Sequence, residues 1–186
     1  GVSESCSKMN ASMLPIPAGV DPETSANRAA ELINQASVDG FIVYSVAQDD
    51  PFLEAVIRRN IPTVICDQPA DAHRIDYVGI DDGQAIQPVV QRLVDAGHRK
   101  IGMLCIRLDR TPNNGPVSAE RLRTAKMHVQ RSRIEGALAV LAEAGISQDD
   151  VPIVERHIND QDNSRSAAEE LLDAHPELTA VICTVD

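Results

Sequence analysis

The stretch that most restricts what this chain can become runs from Asp81 to Ile106, DDGQAIQPVVQRLVDAGHRKIGMLCI. Ile86, Val89, Val90, Leu93 and Val94 recur at i, i+3, i+4, i+7 and i+8, the spacing that gathers apolar side chains on one face of an α-helix. Gly97 follows the last apolar turn, where a left-handed residue costs glycine least, and Ile101 to Ile106 is an apolar run of strand length. A helix therefore feeds a buried strand. Pro88 lacks the N–H that should bond back one turn, which predicts a kink or a late helix start. Asp81 and Asp82 are adjacent carboxylates that could hold a metal or act as an acid/base pair; the simpler reading is an N-cap and a first-turn acid. His98 could titrate near neutral pH, but a histidine placed here more often bonds the carbonyls at a helix end.

The same grammar recurs along the chain. Residues 1 to 12 are polar and without period, and could be the tail of a helix; Met13 to Ile16 is a short apolar run. Asp21-Pro22-Glu23 reads as an N-cap, a first-turn proline and a first-turn acid, opening a helix through Ala26, Ala29, Ala30, Ile33 and Ala36. Phe41 to Tyr44 reads as a strand. Asp50-Pro51 repeats the device ahead of Phe52, Ala55 and Val56, and the runs Ile61 to Cys66 and Asp76 to Ile80 read as two further strands. Ser132-Arg133-Ile134-Glu135 has capping-box spacing before Ile134, Ala137, Leu138, Leu141 and Ala142, and Gly145 closes that helix. Val151 to Val154 as strand, Ser164 to Ala174 as helix and Leu178 to Thr184 as strand complete the series. Helices alternating with apolar strands predict an α/β protein whose parallel sheets are covered on both faces. Ligands of such sheets bind beyond the carboxyl ends of the strands. The residues expected at that edge are Pro17, Ala18, Ser45, Asp67, Asp81, Asp82, Arg107 and Asp186.

Charge and composition exclude several functions. A net charge of −11 repels nucleic-acid phosphates, and two Tyr and two Phe with no Trp offer little for stacking bases, so this portion is not expected to bind DNA itself. No phosphate-cradling glycine loop, nucleophile elbow or zinc-protease helix is present, so no enzyme activity, cofactor or metal is expected. The apolar runs fall far short of the ~20 residues a spanning helix needs, so no membrane segment is expected. Cys6, Cys66, Cys105 and Cys183 are widely spaced and mostly sit in apolar runs, which suits free thiols in a reducing compartment. The chain opens on Gly1 and stops at Asp186 on an apolar run, which we read as a piece of something longer. Residues 107 to 133 stand apart: seven Lys or Arg against Asp109 and Glu120, a local +5 inside a chain otherwise −16. That run is either a solvated loop and helix face or a surface for an anionic ligand or acidic partner. Arg133, placed at a helix start, would be unfavourable with the macrodipole, so it is either an ordinary surface arginine or one kept to fork onto ligand hydroxyl, carboxylate or phosphate groups.

Six segments in order resemble the lac repressor family: Val38-Asp39-Gly40-Phe41-Ile42-Val43, Ile61-Pro62-Thr63-Val64, Asp81-Asp82, Ala96-Gly97-His98-Arg99-Lys100-Ile101-Gly102, Arg133-Ile134-Glu135-Gly136 and Ile182-Cys183-Thr184-Val185-Asp186. The resemblance covers nearly everything from Met13 onward. It implies a core similar to type I periplasmic binding proteins, with two Rossmann-like lobes here spanning 1–80 and 81–186, both incomplete. It implies a small-molecule effector (a sugar, sugar phosphate or nucleoside-like compound) in the cleft between them, a homodimer, a cytoplasmic location, and operator DNA reached only through an N-terminal helix-turn-helix that this sequence lacks. By resemblance, Arg133 and Asp186 are expected to contact the effector, with Ser45 and Asp81 at the cleft edge. Two departures accompany it: the segment from Lys100 to Arg133 is longer than usual, and Val185 replaces a usual asparagine. The alternative within the same fold is the solute-binding protein of a sugar transporter, which would need an export signal.

Overall fold

The computed structural model describes residues 2–16, 26–70 and 75–185. Two sheets organise them. The first has the order β1 (Phe41–Tyr44), β2 (Thr63–Cys66), β3 (Asp76–Val78), all parallel, with α2 (Ala26–Gln35) and α3 (Pro51–Arg59) on one face. A short α1 (Val2–Lys8) precedes them, residues 11–16 form no strand, and the helix start read at Asp21-Pro22-Glu23 lies outside the described residues. The second sheet has the order β5 (Gly115–Pro116), β6 (Ile153–Arg156), β4 (Ile101–Ile106), β7 (Ala180–Cys183). In it β4 lies parallel between β6 and β7, and β5 is antiparallel to β6.

Alternation along β4 sends side chains to both faces of this second sheet. Ile101, Met103 and Cys105 meet Val90 and Val94 of α4 (Asp82–Asp95) and Ile134, Ala137 and Leu141 of α6 (His128–Glu143). Leu104 meets Leu171 of α7 (Gln161–Ala174) on the other face, where a side chain at Gly102 would collide with Leu171 and Leu178. Burial of each such side chain stabilises the fold by roughly 1.5–3 kcal/mol. Cys105, buried here, has its thiol pKa pushed far up, by desolvation first and by the charge of Glu155 second. The expectation of two covered faces thus holds for the second sheet. In the first it fails among the described residues: Ile42, Tyr44, Val78 and, beyond its strand, Ile80 are exposed, Tyr44 by 73%.

The helix read at 82–95 starts at Asp82 and runs through Pro88, so the late start does not occur. Pro88 and Gln84 are both exposed, so the Gln84 carbonyl that loses its N–H partner is left to water, the cheap place for such a loss. Asp81 is the N-cap, accepting from the Gln84 amide at 2.9 Å. At the other end Gly97 (φ 91°) donates to Val94 and His98 to Leu93, the paired closure that a left-handed residue permits. The His98 side chain does not bond the helix carbonyls as expected; its Nδ1 lies 2.9 Å from Thr179 Oγ1, and Arg99 donates to Val94 O instead.

Larger differences concern α6 and the segment before it. The capping-box spacing at Ser132 is not a helix start: α6 begins a full turn earlier, at His128, and Met127 at its cap makes no side-chain bond. Its second amide is satisfied from far away, by Gln68 Oε1 accepting from Val129 N at 2.9 Å. A cap supplied by tertiary contact leaves no local signature. Inside the basic run, α5 (Ala119–Arg123) forms behind Ser118, which accepts from Arg121 N. β6 also lies two residues later than read, because Glu155 and Arg156, which end the apolar run, are themselves buried.

Candidate functional site

At the carboxyl ends of β1, β2 and β4 the backbone turns through Ser45 (φ 53°), Asp67 (φ 76°) and Arg107 (φ 30°). Side chains other than glycine rarely occupy this region, which costs on the order of 1–3 kcal/mol per residue and concentrates at functional edges. Each turn is held by an amide that extends the sheet ladder by one more bond: Ser45 N to Cys66 O, Asp67 N to Val78 O and Arg107 N to Arg156 O. The Tyr77 hydroxyl adds a bond to Asp67 O at 2.9 Å. Three strands therefore end abruptly, and the groups that follow them form the polar edge that the α/β pattern predicts.

Arg133 is the best-connected member of that edge. Its Nε donates to Asp82 Oδ1 at 2.8 Å, its Nη2 lies 2.8 Å from the same oxygen, and its Nη1 donates to Thr184 O at 2.7 Å. Asp82 is buried at the start of α4, and Thr184 lies just past β7, where its hydroxyl donates to Gln130 Oε1 at 2.9 Å. The arginine thus ties the first turn of α4, the end of β7 and α6 into one polar cluster. A guanidinium carries five N–H donors, so capacity remains after these contacts. Because Arg133 is well inside α6 and paired with a carboxylate, the macrodipole penalty expected for a helix-start arginine is not what singles it out.

Two glycines let this pairing form. A Cβ at Gly136 would collide with the Gly83 carbonyl, and one at Gly83 would sit 3.2 Å from Ser132 O. The backbones of α4 and α6 cross in contact there, which brings Asp82 and Arg133 within reach of each other.

The other expected site residues have different fates. Asp81 is occupied as the α4 cap, so of the adjacent pair it is Asp82 that meets Arg133. Pro17, Ala18 and Asp186 lie outside the described residues. Ser45 Oγ accepts from Gln68 Nε2 at 3.0 Å, and through Gln68 it is linked to Val129, one turn before Arg133 on α6. Gln68, Gln130 and Thr184 were not singled out by the sequence, and Asp82 only as a strand-edge acid in the first turn of a helix; all four are polar residues less than 8% exposed, and only the rule that buried polar groups must find partners marks their contacts.

The basic run is largely consumed internally. Arg121 holds the fully buried Glu155 with two bonds, Nε to Oε2 at 2.6 Å and Nη2 to Oε1 at 2.8 Å, and Glu155 also accepts from Leu108 N and Asn113 Nδ2. Arg123 pairs with Glu120 and Arg133 with Asp82. Asn114 Oδ1 accepts from His157 N, so the turn at Pro112–Pro116 is stitched over the end of β6 by two asparagines. His157 is buried with neither ring nitrogen bonded; burial first, and the Arg107 cation second, lower its pKa and so favour the neutral ring. Among the described residues no group of His, Cys, Asp or Glu is placed to hold a metal ion, and no helix is long and apolar enough to cross a membrane. A surface cavity of about 300 Å³ lies away from this edge, beside Pro116–Leu122, Val151–Val154 and His175.

Comparison with known proteins follows the same lines. Residues 1–186 match the family described as periplasmic binding proteins and sugar binding domain of the LacI family. The chain is 45% identical to the HTH-type transcriptional regulator IpsA of Corynebacterium glutamicum, with 100% of this chain and 51% of that protein covered. It is 38% identical to an HTH-type transcriptional regulator of Mycobacterium tuberculosis, again with 100% of this chain and 51% of the other covered. A crystal structure of a LacI-family transcriptional regulator from Corynebacterium glutamicum superposes with a TM-score of 0.88 at 48% identity, covering 92% of this chain and 51% of that one. The chain spans about half the length of the curated relatives it matches.

Proposed function

This chain belongs to the LacI family of transcriptional regulators, as part of the non-enzymatic effector-binding domain with the type I periplasmic-binding-protein fold, and from that premise we propose what it senses and how. The chain forms two lobes, 1–80 and 81–186, and a sugar or other small polar metabolite binds in the cleft between them. The two separate sheets, joined by the crossover at Gly79–Asp81, support that division. Effector preference for one lobe arrangement is transmitted through a homodimer to a helix-turn-helix elsewhere in the protein, in the cytoplasm. The coupling is a linkage: a ligand shifts the equilibrium only by its differential affinity for the two arrangements.

The observation that carries this reading is the Arg133 cluster. A guanidinium held by a buried carboxylate and a strand-end carbonyl is fixed in place yet keeps unused donors, the property needed to read ligand hydroxyls with little loss of entropy on binding. Arg133, Ser45 and Asp186 are the proposed effector contacts. Asp81 acts indirectly, as the cap that fixes the start of α4 and with it Asp82. Because Arg121, Arg123 and Arg133 are paired with acids, the positive run favours a hydroxyl-rich ligand no less than an anionic one.

A thermal-shift panel on the full-length protein tests the proposal, with glucose, ribose, glucose 6-phosphate and adenosine as probes. A ligand that binds only the folded state raises the melting temperature by mass action. We expect at least one sugar-class probe to do so, and Arg133→Ala to raise its half-saturating concentration about 10- to 100-fold, the scale of one or two bonds to a charged donor. An undiminished shift in that variant would remove Arg133 from the site.

A further inference from the structure

We propose that Gln68 is a positioning residue that clasps the two lobes together and so sets the geometry of the effector cleft from both sides; this rests on the two-lobe reading above. Gln68 is 3% exposed, and both ends of its amide are engaged. Nε2 donates to Ser45 Oγ at 3.0 Å, within the unit of the first sheet, while Oε1 accepts from Val129 N at 2.9 Å, the second residue of α6 in the other unit. One side chain thereby fixes the strained strand-end serine and also supplies the cap that α6 lacks locally.

A second bond runs across the same seam: Gln48 N, in the loop after β1, donates to Lys126 O just before α6 at 3.0 Å. Both bonds converge on the corner between α5 and α6, and α6 carries Gln130 and Arg133, the two residues bonded to Thr184. An aliphatic side chain at position 68 leaves a buried helix-start N–H without a partner, which favours separating the lobes and letting water in. The amide therefore biases the lobes toward the arrangement seen here before any ligand arrives, and, where that arrangement is the one that binds, its loss lowers the apparent affinity by lowering that state's population.

Small-angle X-ray scattering of the full-length protein without added ligand reads this directly. Gln68→Met keeps the volume and removes both bonds; we expect a larger radius of gyration and, in the thermal-shift panel, about a 10-fold higher half-saturating concentration of whichever probe shifts the wild type. Gln68→Glu keeps an acceptor for Val129 N, and the Ser45 hydroxyl can donate to it, so its scattering should match the wild type. A Gln68→Met protein that is folded by circular dichroism yet scatters like the wild type overturns the proposal, as does a Gln68→Glu protein as open as the Met variant. Should Gln68→Met not fold, Ser45→Gly carries the test: glycine accepts the positive φ and only the Nε2 bond is lost, so a smaller opening in the same direction is expected, and none overturns it. A panel in which no probe shifts the wild type counts against the effector reading alone, because the scattering comparison uses no ligand.

Discussion

Arg121 and Glu155 show how far one residue's surroundings can depart from its sequence context. Glu155 ends an apolar run and is fully buried; Arg121 belongs to a segment whose charge reads as a solvated face or a surface for an anionic partner. Their two-pronged pairing, with Leu108 N and Asn113 completing the carboxylate's acceptors, turns both into interior residues. The hydrogen bond from Arg121 to Glu155 is also the first cause of the raised Arg121 pKa. Removing one partner leaves a buried charge uncompensated, so Arg121→Met should destabilise the protein by about 3–5 kcal/mol, whereas Arg121→Met with Glu155→Leu should recover much of that loss. Urea midpoints for the two variants check it; an equal loss in both would mean that the pair contributes packing alone. Asp82 follows the same logic beside Asp81: the sequence reads the first as cap and the second as first-turn acid, and both hold, but that the second is buried on Arg133 is set by the fold.

Among the elements, the crossing of α4 and α6 does most to assemble the site. Gly83 and Gly136 face each other there, with no room for a side chain at Gly136 and little at Gly83, and the Asp82 to Arg133 pair lies beside them. Gly136→Ala, a change that favours helix by propensity alone, should here force the helices apart and lower the melting temperature by several degrees, with weaker effector binding as the second readout. Glu143→Ala, at an exposed position of the same helix, should be close to neutral. A rise in melting temperature for Gly136→Ala would show that the contact is slack. Elements governed by local rules were legible in the sequence: the Asp50 cap of α3, the 82–95 periodicity and the Gly97 closure all act within a few residues. Elements governed from a distance were not. The first turn of α6 is capped from Gln68, β6 continues through charged residues because their partners lie on α5 and α7, and β5 exists only as an edge addition to β6. The Arg133 cluster was half legible, since the arginine stood out but the roles of Asp82 and Thr184 are defined by the fold that gathers them.

At the scale of the molecule, the two sheets are covered unequally. The second has helices on both faces; the first has them on one, and presents Ile42, Tyr44, Val78 and Ile80 on the other among the described residues. An exposed apolar sheet face of this kind has colloidal consequences. Solutions of these 186 residues alone should sediment as a concentration-dependent mixture, and Tyr44→Lys with Ile80→Lys should collapse it to a single slow species; one such species at every concentration without the substitutions would contradict this. Self-association of these 186 residues through that face is then a matter of stickiness, without the fixed stoichiometry of a specific interface.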